Sequence, residues 1–319
     1  MRVYYNTTHY KDFPKNCVMA LGNFDGMHIG HQKVIRYCLK KAKELNKTAA
    51  ILTFDPHPNQ ILRKKNSFKL ICDFKQKIEL IQNIGIKHVV VLSFNKVLSS
   101  LTPEEFIKQY LVQLFNVNTI VTGYNFSFGK QKKGNNLILE KFSKQYGFSF
   151  DAIGKTQYND YVLSSSNIKT LLQQGSIGIV NKLLGRIYSV KGTVSIGKKI
   201  AKQIGTATAN IILKNHIQYP LFGVYLVQIM IHNKKFYGIA NIGVKPTFNK
   251  NNSCPLLEVH VLDFNQDIYN LEVEVEFLHF IRPERKFPNV MLLKEQIVQD
   301  IYNVRYILKN FSHSLEHTI

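Results

Sequence analysis

Two rhythms of apolar and polar positions divide the chain. In the first half, continuous apolar runs alternate with helix-spaced patterns. "CVMAL" (17–21) precedes "GHQKVIRYCLKKAKEL" (30–45), and "AAILTF" (49–54) ends in the breaker cluster "DPHP". "HVVVLSF" (88–94) precedes "TPEEFIKQYLVQLF" (102–115), and "NTIVTGYNF" (118–126) runs into the loop "SFGKQKKGNN". Thr102 is placed to cap its helix, with Pro103 in the first turn and Glu104 and Glu105 behind it. Strands that are apolar throughout and alternate with helices predict a parallel sheet covered on both faces.

From about residue 184 the rhythm changes. "IYSVKGTVS", "GVYLVQIMIH", "KFYGIANIG", "LEVHVLDF" and "LEVEVEFLHF" alternate in part and are joined by short turns, which predicts an antiparallel barrel. The last long segment, "NVMLLKEQIVQDIYNVRYILK", repeats Val290, Leu293, Ile297, Ile301 and Val304 at helical spacing. It predicts an amphipathic helix packed on that barrel. The expected division is 1–183 and 184–319.

The candidate chemistry lies where the first apolar run meets the first helix. "LGNFDGMHIGHQ" sets a turn of Gly22, Asn23, Asp25 and Gly26 before His28, Gly30 and His31. A helix N-terminus presents unpaired N–H groups and the positive end of the helix dipole, which suits a phosphate. Two imidazoles there can donate to the α-phosphate of ATP as pyrophosphate leaves. Nucleotidyl transfer asks little more than positioning and charge neutralisation. Glycine at 22 and 26 lets the backbone approach the nucleotide. A second phosphate element is offered by "LSSSNIKTLL", where Ser164, Ser165, Ser166 and Lys169 open a helix. Taken alone, each motif is an ordinary helix cap; their pairing favours the nucleotide reading.

The bulk numbers refine this picture. The chain has 319 residues, 45% of them hydrophobic, and a formal net charge of +21. Such a charge favours polyanionic partners. The basic residues are nonetheless scattered or in short runs such as Arg63-Lys64-Lys65 and Lys132-Lys133. Lys, Asn, Ile, Phe and Tyr are plentiful and Trp is absent, the profile of AT-rich coding. With no clustered basic stripe, no KMSKS-type loop and no aromatic stacking platform, no nucleic-acid partner is expected. Cys17, Cys38, Cys72 and Cys254 form no CxxC pair, which suits a reducing compartment and argues against structural zinc. No apolar run has signal-peptide or membrane-span length, so no membrane partner and a cytoplasmic location are expected.

These motifs, in this order, resemble the bifunctional prokaryotic riboflavin kinase/FAD synthetases over nearly the whole chain. "LGNFDGMHIGHQ", "TFDPHP", "GYNFSFGK" followed by Gly134, and "LSSSNIK" are similar to the signatures of its FMN adenylyltransferase module. "LLGRIYSVKGTV", "GTATANI", "FGVYLV", "NIGVKPTF", "LEVHVLDF" and "IRPERKF" are similar to those of its riboflavin kinase module. The resemblance implies a Rossmann-like α/β nucleotidyltransferase domain of the HIGH superfamily, then a six-stranded antiparallel β-barrel kinase domain with a C-terminal helix. It implies ATP, riboflavin and FMN as substrates, with Mg²⁺. In the first module His28 and His31 would stabilise the transition state. Gly22, Asn23, Gly30, the serines 164–166 and Lys169 would bind ATP, and Asn125 would lie near flavin and nucleotide. Asp55 and His57 read equally well as part of a rigid strand exit. In the second module Glu258 would be the general base, Thr208 and Asn210 would hold Mg²⁺ and ATP, and Gly197 and Lys202 would belong to the phosphate loop.

The sequence departs from the family pattern in places. Ser166 stands for Thr, Lys169 for Arg and Asn167 for a second Arg. In the kinase loop, Ala201 stands for Gly, Lys202 for Arg and Thr206-Ala207 for Phe-Pro; Asn270 follows Tyr269 in place of Gly. The altered loop motivates an alternative in which only FAD synthesis survives and the kinase module has decayed.

Overall fold

The computed structural model describes residues 1–5, 10–63, 68–159, 161–195, 208–244 and 255–315. Packing divides the chain into two compact units, Met1–Ile168 and Lys169–Ile319.

The first unit is a parallel sheet with helices on both faces. Its elements are β1 (Arg2–Tyr4), β2 (Val18–Leu21), α1 (Ile29–Glu44), β3 (Ala49–Asp55), α2 (Pro58–Leu62), α3 (Phe74–Asn83) and β4 (His88–Ser93). α4 (Lys96–Ser100), α5 (Pro103–Phe106), β5 (Thr119–Gly123), α6 (Asn136–Tyr146) and β6 (Ser149–Ile153) complete the layers. The strand order is β1-β4-β3-β2-β5-β6, and every neighbouring pair is parallel. Each central strand is buried on both sides, which explains the unbroken apolar runs. Val18, Ala20, Ile51 and Val121 pack with Val34, Ile35 and Cys38 of α1 and Ile81 of α3. Met19, Leu21, Leu52 and Ile120 face the opposite layer, with Phe106, Ile107, Leu111, Leu139 and Phe142.

The Thr102 cap forms as expected: its hydroxyl accepts from Glu105 N while Glu105 accepts from Thr102 N. The helix it starts continues as a π-helix over Ile107–Leu114, a change of winding that the apolar spacing did not predict.

β2 lies between β3 and β5, so the connection from β2 leaves toward one edge of the sheet and that from β5 toward the other. Such a reversal opens a crevice at the carboxyl ends of the two strands. The His28 turn follows β2 and Asn125 follows β5, so both lie at that crevice. A short hairpin of β7 (Gln157–Tyr158) and β8 (Tyr161–Val162) leads into α7 (Ser165–Gln173).

In the second unit, α8 (Ile177–Leu184) precedes β9 (Tyr188–Ser195), β10 (Thr208–Ile212), β11 (Gly223–Ile231), β12 (Lys234–Val244), β13 (Pro255–Val261) and β14 (Glu272–Pro283). These six strands close into an antiparallel barrel of order β10-β13-β12-β11-β14-β9. Alternation sends Tyr188, Ile211, Tyr225, Val227, Ile242, Leu257, Val259 and Phe277 into its interior. Five strands follow the alternating runs; β10 lies in "TATANIIL", whose polar start hid it.

The final helix α9 (Val290–Leu315) seats Ile301, Val304, Ile307 and Leu308 against Val224, Leu226, Ile239 and Leu262 on the barrel's outside. Leu293 and Ile297 are half-buried, but Val290 is 59% exposed, so the packed stripe is shorter than the periodicity suggests. Asp300, 3% exposed, clamps the helix through a bidentate pair with Arg282 of β14, Nη2 to Oδ2 at 2.7 Å and Nε to Oδ1 at 3.0 Å. Asn270 adopts the left-handed φ of 63° that its glycine-like position requires.

Candidate active sites

The first site is built on a strained turn. Phe24, Gly26 and Met27 have φ of 52°, 79° and 45°, and Phe24 and Met27 are each 1% exposed. Two bulky residues in the left-handed region are costly and persist because the surrounding packing holds them. Asp25, 4% exposed, anchors the turn by accepting from Ile71 N at 2.8 Å. His28 then caps α1: its Nδ1 accepts from His31 N at 3.2 Å. That bond assigns the ring proton of neutral His28 to Nε2.

The two imidazoles stack, with centroids 3.6 Å apart and planes 18° from parallel. Phe24 meets His31 edge-on at 5.4 Å. Burial, then the charges of His28 and Lys77, hold the His31 imidazole well below the usual histidine range. His31 is therefore neutral in the free protein at neutral pH. Its Nδ1 and the Oδ1 of Asn23 are buried with no hydrogen-bond partner among the described residues.

The serine segment reaches the same place. Ser164 Oγ accepts from Asn167 N at 3.2 Å, the expected cap, while Ser165 Oγ donates to Asp25 O at 2.9 Å. A Cβ on Gly30 would lie 3.1 Å from His28 Nδ1 and 3.8 Å from Leu163 Cβ, so the backbone at 30 runs between the histidine and the serine segment. Ser166 and Asn167 are exposed at the helix start. Lys169 comes one turn later and begins the second packing unit. Gly22 sits directly over Phe24, whose Cζ would be 2.7 Å from an added Cβ.

Asn125 is exposed just beyond β5; a Cβ at Gly123 would stand 3.9 Å from its Oδ1 and 3.8 Å from Val34 of α1. Asn136 fixes that strand end, donating to the carbonyls of Gly123 and Tyr124, each at 3.1 Å. His57 acts as a helix cap: its Nδ1 accepts from Asn59 N at 3.1 Å, and its ring stacks on Phe68 at 4.6 Å. The strand-exit reading accounts for these contacts.

Two residues that the motifs did not single out join this site. Lys77, on α3, is 7% exposed; its ammonium donates to Thr53 Oγ1 at 3.1 Å, Phe54 O at 3.3 Å and Asn23 O at 3.4 Å. Thr53 Oγ1 itself donates to Asn23 O at 3.3 Å. An apolar helical stripe that carries one lysine among Phe74, Ile78 and Ile81 was the available signal.

The second candidate site lies on the outside of the barrel. Leu257 and Val259 point inward, and Glu258 between them is exposed. Glu258 pairs with Asn210 of β10 on one side and Asn241 of β12 on the other. Directly paired side chains share a face. Asn210, Glu258 and Asn241 therefore form one row, and the backbone of Thr208 is in register with His260. Asn241 was not anticipated. Gly197, Ala201, Lys202, Thr206 and Ala207 lie outside the described residues. Oxygen donors of the type that Thr208 and Asn210 carry suit Mg²⁺, which takes few protein ligands and leaves its other positions to water and phosphate.

Comparison with known proteins follows this division. The FAD synthetase family matches residues 10–167, and the riboflavin kinase family matches residues 184–308. The chain is 40% identical over 293 residues to the bifunctional riboflavin kinase/FMN adenylyltransferase of Bacillus subtilis (strain 168), covering 91% of this chain and 92% of that protein. It is 39% identical over 298 residues to the protein of the same description from Buchnera aphidicola subsp. Schizaphis graminum, covering 92% and 95%. A crystal structure described as a macrolide-efflux protein from Streptococcus pneumoniae superposes with a TM-score of 0.86 at 29% identity, covering 96% of this chain and 99% of that one. The efflux role is said of that protein; among the described residues here, no helix is long and apolar enough to cross a membrane. With both modules matched, the alternative of a decayed kinase module is set aside. The chain belongs to the bifunctional riboflavin kinase/FMN adenylyltransferase family: it phosphorylates riboflavin and adenylylates FMN.

Proposed function

We propose that adenylyl transfer takes place at the crevice beyond β2 and β5, with His28 and His31 on the α-phosphate of ATP. An FMN phosphate oxygen attacks the α-phosphorus; the bond to the bridging oxygen breaks and pyrophosphate leaves with that electron pair, giving FAD. The His28 Nε2–H donates to the phosphate that gains charge, and the α1 N-terminus adds its dipole. Gly22, Asn23 and Gly30 line the nucleotide, Ser164, Ser165, Ser166 and Lys169 hold the departing phosphates, and Asn125 contacts flavin or nucleotide. One observation carries this reading: the hydrogen bond from Ser165 to the Asp25 carbonyl, which draws the serine segment onto the histidine turn.

For phosphorylation, Glu258 takes the proton of the riboflavin 5′-hydroxyl as its oxygen attacks the γ-phosphorus of ATP; the bond from that phosphorus to the bridging oxygen breaks and ADP leaves with the electron pair, giving FMN. Thr208 and Asn210 hold Mg²⁺ and phosphate, with Gly197 and Lys202 in the phosphate loop. Bound Mg²⁺ supplies charge neutralisation on the transferring phosphoryl group. Supporting this is the single row of Asn210, Glu258 and Asn241 across three strands. We assign adenylyl transfer to 1–183 and phosphorylation to 184–319, the second agreeing with the start of the kinase match. The buried free thiols of Cys17 and Cys38 support a cytoplasmic location.

A chromatographic time course with Mg-ATP, started in parallel from riboflavin and from FMN, tests both sites through variants. His31→Ala should stop FAD formation from either start and leave FMN accumulating from riboflavin. Glu258→Gln should stop the riboflavin start alone. Full FAD formation by the histidine variant would overturn the assignment of the first site.

A further inference from the structure

Buried lysines are rare, because an ammonium loses its hydration and a methionine could fill the same space without that cost. Lys77 is nevertheless 7% exposed, on a helix whose other buried residues are the uncharged Gln76 and Ile81. Burial pushes its ammonium down from the usual lysine range, an effect partly opposed by Cys72, Asp55 and Asp25. Its three acceptors all belong to the strand ends beneath the first site. They are the carbonyl of Phe54, the hydroxyl of Thr53 and the carbonyl of Asn23. The ring of Phe74 lies 5.1 Å from Nζ and fills one remaining side.

The Asn23 carbonyl thus receives two donors from below, Lys77 Nζ at 3.4 Å and Thr53 Oγ1 at 3.3 Å. The Asn23 side-chain oxygen is left buried with no partner among the described residues. We infer that Lys77 is a positioning residue for adenylyl transfer: its ammonium pins the Asn23 carbonyl, which orients the turn and leaves the Asn23 amide side chain to the nucleotide. The inference rests on the reading that this turn binds ATP. Lys77 touches no reacting atom. Its charge also disfavours protonation of His31.

The test is Lys77→Met in the full chain, which keeps the length and removes the charge and donors. A positioning role predicts that the KM for ATP in FAD formation rises about fivefold or more and kcat falls about tenfold, as small displacements of reacting groups do. The KM for FMN and the rate of riboflavin phosphorylation by the same preparation stay unchanged. A merely structural role lowers the melting temperature and the active fraction but leaves the KM for ATP where it was, and that result overturns the inference.

Thr53→Val removes the second donor at constant volume and decides the matter if Lys77→Met does not fold. It should raise the KM for ATP in the same direction, and an unchanged value refutes the inference. Where both fold, the double variant should cost less than the sum of the two, because they share one acceptor. The underlying reading is judged separately by His31→Ala. If that variant makes FAD normally, the site assignment fails; if it is inactive while Lys77→Met is normal, the Lys77 inference alone fails.

Discussion

Replacing Gly22 with alanine puts a methyl group 2.7 Å from Cζ, 2.8 Å from Cε1 and 3.0 Å from Cε2 of the Phe24 ring. Ordinary contact begins at 3.4 Å, so the ring must retreat by roughly 0.7 Å. It has little room to do so, because Phe24 is 1% exposed and its backbone is already held at a φ of 52°. The ring also stands edge-on to His31 at 5.4 Å, so its displacement passes to the imidazole. Overpacking of this kind costs about 1–3 kcal/mol of stability. A displacement near 1 Å at a reacting group costs on the order of 10²-fold in rate. Gly22→Ala should therefore lower the melting transition of the first unit by a few degrees and reduce FAD formation from FMN at least about tenfold. Riboflavin phosphorylation by the same protein gives an internal control for folding and concentration. Adding Phe24→Leu should cost less than the sum of the single changes, since the smaller side chain relieves the clash. A folded Gly22→Ala protein that forms FAD within twofold of the parent rate would refute this chain of contacts.

Further outcomes follow from other contacts. Glu258→Gln removes the proton acceptor while keeping shape, and should cut riboflavin phosphorylation by about 10²–10⁴ with FAD formation from FMN unchanged, read by chromatography. Asp300→Ala strands the Arg282 guanidinium under α9 and should destabilise the second unit by roughly 3–5 kcal/mol in denaturant melts. Arg282→Met combined with Asp300→Leu should cost less than Asp300→Ala alone, because no charge is left buried. His31 supplies a pH signature. Above about pH 6.5 its imidazole is neutral folded or unfolded and adds no pH dependence. Below that value the unfolded chain binds a proton that the folded site, desolvated and facing His28 and Lys77, refuses. Stability should fall with acidification by up to about 1.4 kcal/mol per pH unit from this group. His31→Gln should flatten that slope between about pH 6.5 and 5, and an equal slope in both proteins would contradict the buried, neutral imidazole.

Much of this protein is written in local pattern. A strand buried on both faces is apolar at most positions, so β2 to β5 stand out as apolar runs broken only by small threonines. Barrel strands buried on one face must alternate, and five of the six do so visibly. The Thr102 and Ser164 caps are equally local, because a cap is satisfied within three residues. The histidine turn and the serine segment are each legible as phosphate-binding helix starts. Their meeting is not, since the bond from Ser165 to Asp25 joins residues 140 apart. Other features are likewise decided only by tertiary packing. The polar start of β10 pairs as a strand because β9 and β13 supply its hydrogen bonds. Val290 stays exposed although its spacing fits the stripe, because the residues of α9 that pack on the barrel are Ile301, Val304, Ile307 and Leu308. Lys77 reads as a surface lysine until α3 is laid across the ends of β2 and β3. Short-range periodicity records which face an element buries; which polar groups it meets there depends on strand order, and strand order is set by contacts between distant parts of the chain.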